Sequence, residues 1–280
     1  MLIFELFKSV ILGIVEGITE WLPISSTGHM ILVDEFIRLN ISPELMEAFL
    51  FVIQLGAILA VPIYFFDKLN VFSRRKSEAE RKITLSLWCK VIVGVIPAAV
   101  IGLLLDDFFE EYFYNYFVVA VMLILYGIAF IFIENYKKDK PFRVESVEEL
   151  SYTDALKIGA FQVLAIIPGT SRSGSTILGG MLSGISRTAS AEFSFFMAIP
   201  VMLGASGIKV LKFLLGGHSV SIEEISILAI GCIVSFLVSL FSIKFLMDFV
   251  KRHDFKPFGV YRIILGVLVI SYFVIKSLVA

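Results

Sequence analysis

The sequence predicts an all-α polytopic membrane protein with six full transmembrane helices and two re-entrant helix hairpins in an inverted-topology repeat. Three observations lead there. The 280 residues are 58% apolar and 18% charged, with a mean hydropathy of +0.91, against about 45–50% apolar residues in water-soluble domains. Apolar runs recur at span length, and two shorter ones end in polar, proline-bearing breaks. Those breaks resemble each other across the two halves of the chain. The 24 Lys and Arg against 25 Asp and Glu leave a net charge of -1, so bulk charge indicates no nucleic-acid partner.

A helix that crosses a bilayer needs about 20 apolar residues. The stretches 47–66, 87–105, 116–133, 193–214, 225–247 and 259–278 meet that length. Residues 3–15 and 156–167 do not. The first runs into Glu16, Glu20, Trp21, Pro23, Ser25, Ser26, Thr27 and His29, the second into Pro168-Gly-Thr-Ser-Arg-Ser-Gly-Ser-Thr176. Each reads as a half-helix, a polar break and a second short apolar piece. Backbone freed from helix at membrane depth is tolerated only where protein buries it or water reaches it, so the breaks predict one shared polar cavity. Glu5 and Lys8 precede the first apolar run without a small-residue cleavage site, so Met1 onward reads as mature chain. Cys89 and Cys232 lie in apolar stretches and read as small hydrophobes.

Gly13-Ile-Val-Glu16 and Pro23-Ile-Ser-Ser26 are echoed by Gly159-Ala-Phe-Gln162 and Pro168-Gly-Thr-Ser171, at offsets of 146 and 145, which implies one residue gained or lost. Each break precedes three spans. One integral domain, 1–280, thus divides into halves of about 1–150 and 151–280, and an odd span count makes them enter from opposite sides, with the site near the midplane. Loops 67–86, 134–155 and 248–258 are basic, whereas 106–115 and 215–224 carry no Lys or Arg. The positive-inside rule puts the basic loops in the cytoplasm and the termini and first hairpin outside. Lys90, Lys244 and Arg262, near helix ends, read as snorkelling anchors, and His218 and His253 as solvated loop residues. Gly13 with Gly17 and Gly180 with Gly184 read as close helix crossings.

Glu16 and Glu20 are four residues apart, on one helix face. Two carboxylates that close in a half-dry cavity suit proton traffic or a divalent cation. Pro23 breaks the helix, and Ser25, Ser26 and Thr27 then lie beside His29, the ingredients of a hydroxyl nucleophile with a base; capping the second half-helix is the alternative use of the hydroxyls. In the second break, Gly169-Thr-Ser-Arg-Ser-Gly-Ser-Thr176 nearly spells a nucleotide loop, but Ser175 stands where the lysine is required. What remains is a hydroxyl-rich turn with Arg172 at membrane depth. Free N–H groups and a guanidinium fork suit a phosphate; an ion pair of Arg172 with Glu16 or Glu20 is the plainer alternative.

These two motifs in this order resemble the bacterial undecaprenyl-diphosphate phosphatases of the bacitracin-resistance type, and the resemblance extends over essentially the whole chain. It implies hydrolysis of undecaprenyl diphosphate to the monophosphate that carries peptidoglycan precursors. It also implies a polyprenyl diphosphate lipid as partner in a bacterial inner membrane and dependence on a divalent cation, Mg or Ca, for which the paired Glu16 and Glu20 are the candidate ligands; the loop charges turn the site to the outer side. Carried over by position, Glu16 and Glu20 form the acidic motif, Ser26 and His29 the catalytic loop, and Arg172, Ser171, Ser173 and Thr176 the phosphate loop. Ser25, Thr27, Gly169 and Gln162 join them as candidate substrate-binding residues. The expected chemistry is attack by Ser26 with His29 as base, or by His29 itself. A secondary transporter or lipid flippase is the rival reading of the repeat, and a homodimer is left open.

Overall fold

The structure, a computed structural model, describes residues 2–138, 140–217 and 220–279, with side chains throughout except at 106, 107, 110 and 279. His218 lies outside the described residues. Eleven α-helices form among them: α1 (Leu2–Thr19), α2 (Ser26–Phe36), α3 (Pro43–Tyr64), α4 (Phe66–Leu69), α5 (Glu78–Phe113), α6 (Tyr116–Lys137), α7 (Tyr152–Val163), α8 (Arg172–Leu182), α9 (Arg187–Leu215), α10 (Ile222–Val250) and α11 (Lys256–Val279). No strand forms among the described residues beyond an isolated bridge of Val144 with Ile185. Helices α3, α5, α6, α9, α10 and α11 are long and apolar enough to cross a membrane.

Capping sets most of these boundaries. Ser42, Ser77, Asn115, Ser151, Ser186 and Ser221 each accept a hydrogen bond from a first-turn N–H, the role in which short polar side chains outcompete apolar ones. The spans run past the apolar runs because these caps lie in the polar flanks. Residues 106–113, expected in a loop, extend α5 instead, and 78–86 form its first turns.

Helix pairing follows a pattern: α1 packs on α10 and α7 on α5, while α6 meets α11 and α3 meets α9. Close approach depends on glycine. A side chain at Gly13 would lie 2.7 Å from the Gly231 carbonyl oxygen, one at Gly17 2.8 Å from that of Ser235, and one at Gly159 would collide with the Gly94 backbone. Gly180 meets Ser190 of α9 in the same way. Its supposed partner does otherwise: Gly184 has φ +84 and turns the chain after α8, its carbonyl accepting from Arg143 N at 2.7 Å.

Ion pairs define two ends of the bundle. At one, Lys68 joins Glu192 at 2.5 Å and Glu148 at 3.4 Å, Arg187 grips the buried Glu134, and Arg143 pairs with Asp154. That end gathers the basic loops. At the other, Lys209 pairs with Glu47 at 2.9 Å and Lys276 with Glu35 at 2.5 Å. Lys90 is no anchor at the lipid surface: it is buried and donates to the Glu148 carbonyl at 3.1 Å. Lys244 is exposed, as expected. Between the ends, leucines and phenylalanines such as Leu103, Leu211 and Phe241 point outward. The core centres on Trp21, Ile177, Met181, Phe193, Phe195 and Phe196, directly under the two breaks.

Candidate active site

Helix α1 ends at Thr19 and α2 starts at Ser26; α7 ends at Val163, followed by a 3-10 turn, Leu164–Ile166, and α8 starts at Arg172. Both restarts use the same device. Ser25 and Ser171 are the only non-glycine residues with positive φ among those described, at 74° and 71°, and each caps its helix, accepting from Gly28 N and Gly174 N. Backbone held in that region costs on the order of 1–3 kcal/mol and persists where the surroundings over-determine it. The two caps stand 146 residues apart, the offset of the first motif and one more than that of the two prolines. The prolines occupy different steps of otherwise matching turns, and Ser26 corresponds to Arg172.

Those two residues meet. Ser26 Oγ donates to Glu20 Oε2 at 2.9 Å, and Arg172 Nη2 donates to Glu20 Oε1 at 3.1 Å. One buried carboxylate thus joins the first residues of both short helices, the end at which a helix carries free N–H groups and partial positive charge. The ion-pair alternative for Arg172 is realised. It does not exhaust the guanidinium: Nη1 donates to Ser194 O at 2.9 Å, while Nε is buried without a partner. Trp21 lies under the group at 5.9 Å.

Ser173 crosses between the breaks, its hydroxyl 3.3 Å from Glu20 O, 3.4 Å from Leu22 O and 3.1 Å from Ser171 Oγ. Thr176 Oγ1 lies 2.8 Å from Arg172 O and 2.7 Å from Ser194 Oγ, tying α8 to α9. Gly169 has φ +90, and a side chain there would sit 2.5 Å from Val119 O, so only glycine fits. Glu16 is buried one turn before Glu20. Thr27 is half-buried in the first turn of α2. Gln162 holds in α7 the place Glu16 holds in α1; it is 2% exposed and neither amide atom has a hydrogen-bond partner.

His29 departs from expectation. Its Nδ1 is 2.7 Å from Ser25 O and its Nε2 2.7 Å from the Tyr261 hydroxyl. A carbonyl only accepts, so Nδ1 carries a proton, and in the neutral ring Nε2 then holds the lone pair and accepts from the Tyr261 hydroxyl. The hydroxyl of Ser26 goes to Glu20 and not to His29, so the anticipated Ser26–His29 pair is not formed.

Arg262 is the principal residue that sequence reasoning set aside. It is no anchor at a helix end: at 0% exposure it donates to Pro23 O at 3.1 Å and, through Nη2, to Gly169 O and Thr170 O at 2.9 Å each. One guanidinium therefore staples the first break to the second. The signal available in the sequence was its depth, six residues into an apolar helix. Ser194 and Tyr261 offered none.

The geometry provides a carboxylate-bound hydroxyl and a guanidinium with a spare donor where two helices begin, and an imidazole in the first turn of α2 that turns to α11. Hydroxyl, imidazole and guanidinium are the group types that phosphoryl chemistry uses. Among the described residues, no group of three or more His, Cys, Asp or Glu side chains gathers to hold a metal. The bacitracin resistance protein BacA family matches residues 9–268. The chain belongs to this family. It is 58% identical over 280 residues, the whole of both chains, to a Desulfitobacterium hafniense protein named undecaprenyl-diphosphatase. Relatives of the same name in Enterococcus faecalis (57% identical, 97% of this chain and 99% of theirs) and Acetivibrio thermocellus (58%, 96% and 98%) align almost end to end. Both breaks and Arg262 lie within the BacA match, and none of these alignments leaves room for a further domain of the relatives.

Proposed function

We propose that the chain is a membrane hydrolase that removes the terminal phosphate of undecaprenyl diphosphate, releasing undecaprenyl phosphate. The observation that carries this reading is the single carboxylate of Glu20 shared by Ser26 and Arg172, the first residues of two short helices. A carrier needs binding groups and two openings; a nucleophile already bound to a proton acceptor serves bond cleavage.

In this reading the diphosphate enters between the breaks, displacing the Glu20–Arg172 contact in part, and Arg172 and the N–H groups of α8 take the terminal phosphoryl oxygens. Ser26 Oγ attacks phosphorus, its proton passes to Glu20, and the bond to the bridging oxygen breaks as the monophosphate lipid leaves. Water then attacks the phosphoserine with His29 Nε2 as base, returning Ser26 and freeing inorganic phosphate. Direct attack by His29 is the variant, and trapping the phosphoenzyme on Ser26 or on His29 separates the two. Glu16 is a hard oxygen donor that would hold Mg or Ca, with Glu20 joining it through the oxygen that Arg172 would release on turning to the phosphate. When bound, the ion neutralises charge on the phosphoryl oxygens. A groove of about 250 Å³ beside α8, lined by Phe132, Phe161, Leu178 and Leu182, suits the polyprenyl tail.

The two short helix pairs are read as re-entrant hairpins of an inverted repeat, supported by the matched packing of α1 on α10 and α7 on α5 and by the twin strained serines. One integral domain in two halves follows from that repeat. The gathering of the basic loops at one end supports a cytoplasmic assignment for that end, hence an outward-facing site in the bacterial inner membrane.

Purified protein in detergent, without any gradient, is expected to release inorganic phosphate from undecaprenyl diphosphate and to lose the activity on chelation; no release would leave the carrier reading standing. A membrane-impermeant thiol reagent is expected to label Thr27→Cys from the outer side in intact cells. Labelling confined to inverted vesicles would reverse the orientation.

A further inference from the structure

We infer that Tyr261 is the positioning residue of His29, holding the imidazole so that its Nε2 lone pair is aimed and ready. The inference rests on the hydrolase reading above and adds a residue to it. Two contacts fix the ring. The strained φ of Ser25 turns its carbonyl onto Nδ1, which sets the tautomer. The Tyr261 hydroxyl then donates to Nε2 at 2.7 Å, and the rings lie nearly parallel, 6° apart with centroids at 5.6 Å. Without the second contact the imidazole keeps its tautomer and loses its heading, because one hydrogen bond at Nδ1 leaves the ring free to swing about that point.

Tyr261 itself is held by its neighbour in sequence. Arg262, through Pro23, Gly169 and Thr170, locks α11 to both breaks, so consecutive residues of one helix fix the loops and the base together. The groups around His29 are few. Helix α11 contributes Tyr261, which touches the ring, and Arg262, while the α6 face that packs near α2 is Val119, Ala120 and Leu123, none of which titrates. Tyr261 is thus the residue whose donor reaches Nε2. Its hydroxyl occupies the place that a water, or an oxygen of the substrate, takes when the base acts. Part of the Tyr261 side chain is exposed, so exchange of that hydroxyl for water needs no rearrangement of the core.

The test uses the full-length protein in detergent. Tyr261→Phe keeps the ring and removes the donor, and the partial exposure of the site lets it fold. Its kcat for phosphate release is expected to fall roughly tenfold with KM within twofold, the loss typical of a misdirected general base. In protein labelled with ¹⁵N-histidine, with His29→Gln assigning the resonance among three histidines, the Nε2 signal is expected to move to that of an acceptor nitrogen bonded to exchanging water while Nδ1 stays protonated. An unchanged kcat, a rise in KM that accounts for the loss, or an unmoved Nε2 signal overturns the assignment of Tyr261. Wild-type protein that releases no phosphate overturns the hydrolase reading instead, a result the nitrogen spectrum does not produce.

Discussion

Replacing Arg172 with lysine is expected to lower kcat for phosphate release by roughly a hundred- to a thousandfold, the loss that follows removal of a well-aimed donor to a developing oxyanion. Lysine preserves the charge opposite Glu20, so folding is largely spared and the deficit reads as chemistry. What disappears is the planar fork. Arginine reaches Glu20 Oε1 and Ser194 O with its two terminal nitrogens and keeps Nε as a buried donor without a partner; an ammonium offers one point charge and cannot hold two fixed partners while gripping a phosphoryl edge. Arg172→Ala is the harsher change, because it leaves the buried Glu20 carboxylate unpaired, a loss on the order of 3–5 kcal/mol. Initial rates from both variants, beside their unfolding midpoints in the same detergent, separate the two effects. A lysine variant within threefold of wild type would take Arg172 out of the phosphate site.

Arg262→Met is expected to abolish turnover through geometry, with no contact to the substrate. The guanidinium serves carbonyls of residues 23, 169 and 170, all buried with it. Each carbonyl stripped of its donor costs about 1–3 kcal/mol, and relief of the buried charge returns part of that sum, so a net destabilisation of about 2–4 kcal/mol is expected. The larger consequence is at the site. Ser26 and Arg172 meet on Glu20 only while the first break stays registered against the second, and a displacement of about 1 Å at reacting groups costs on the order of a hundredfold in rate. Thermal unfolding followed by fluorescence, with phosphate release from the same sample, measures both. Activity near wild type would show that the breaks keep their register without the staple.

The contrast between Arg172 and Arg262 shows how far the residues could be read in one dimension. Arg172 announced itself by sitting in a glycine- and hydroxyl-rich break. Arg262 sits in an ordinary apolar helix, with nothing beside it in sequence to say that its side chain turns inward to two loops. Similarly, the nearness of Ser26 and His29 in the chain argued for a pair, yet three residues along a helix with a strained cap send the hydroxyl to α1 and the imidazole to α11. The echo between the two breaks was visible in the sequence at offsets of 146 and 145, and the two serine caps stand at the first of these.

Hydropathy and break motifs were enough, by themselves, to mark the six long helices, the two interrupted segments and many polar residues of the candidate site, because each of those signals is local: span length, a proline, a run of hydroxyls. The tertiary structure alone decided which of these groups touch. Glu20 and Arg172 are 152 residues apart, His29 and Tyr261 232, and Pro23 and Arg262 239. Contacts at such separations depend on how glycine-lined helices dock and where buried carbonyls find donors, and no pattern within a single segment encodes that.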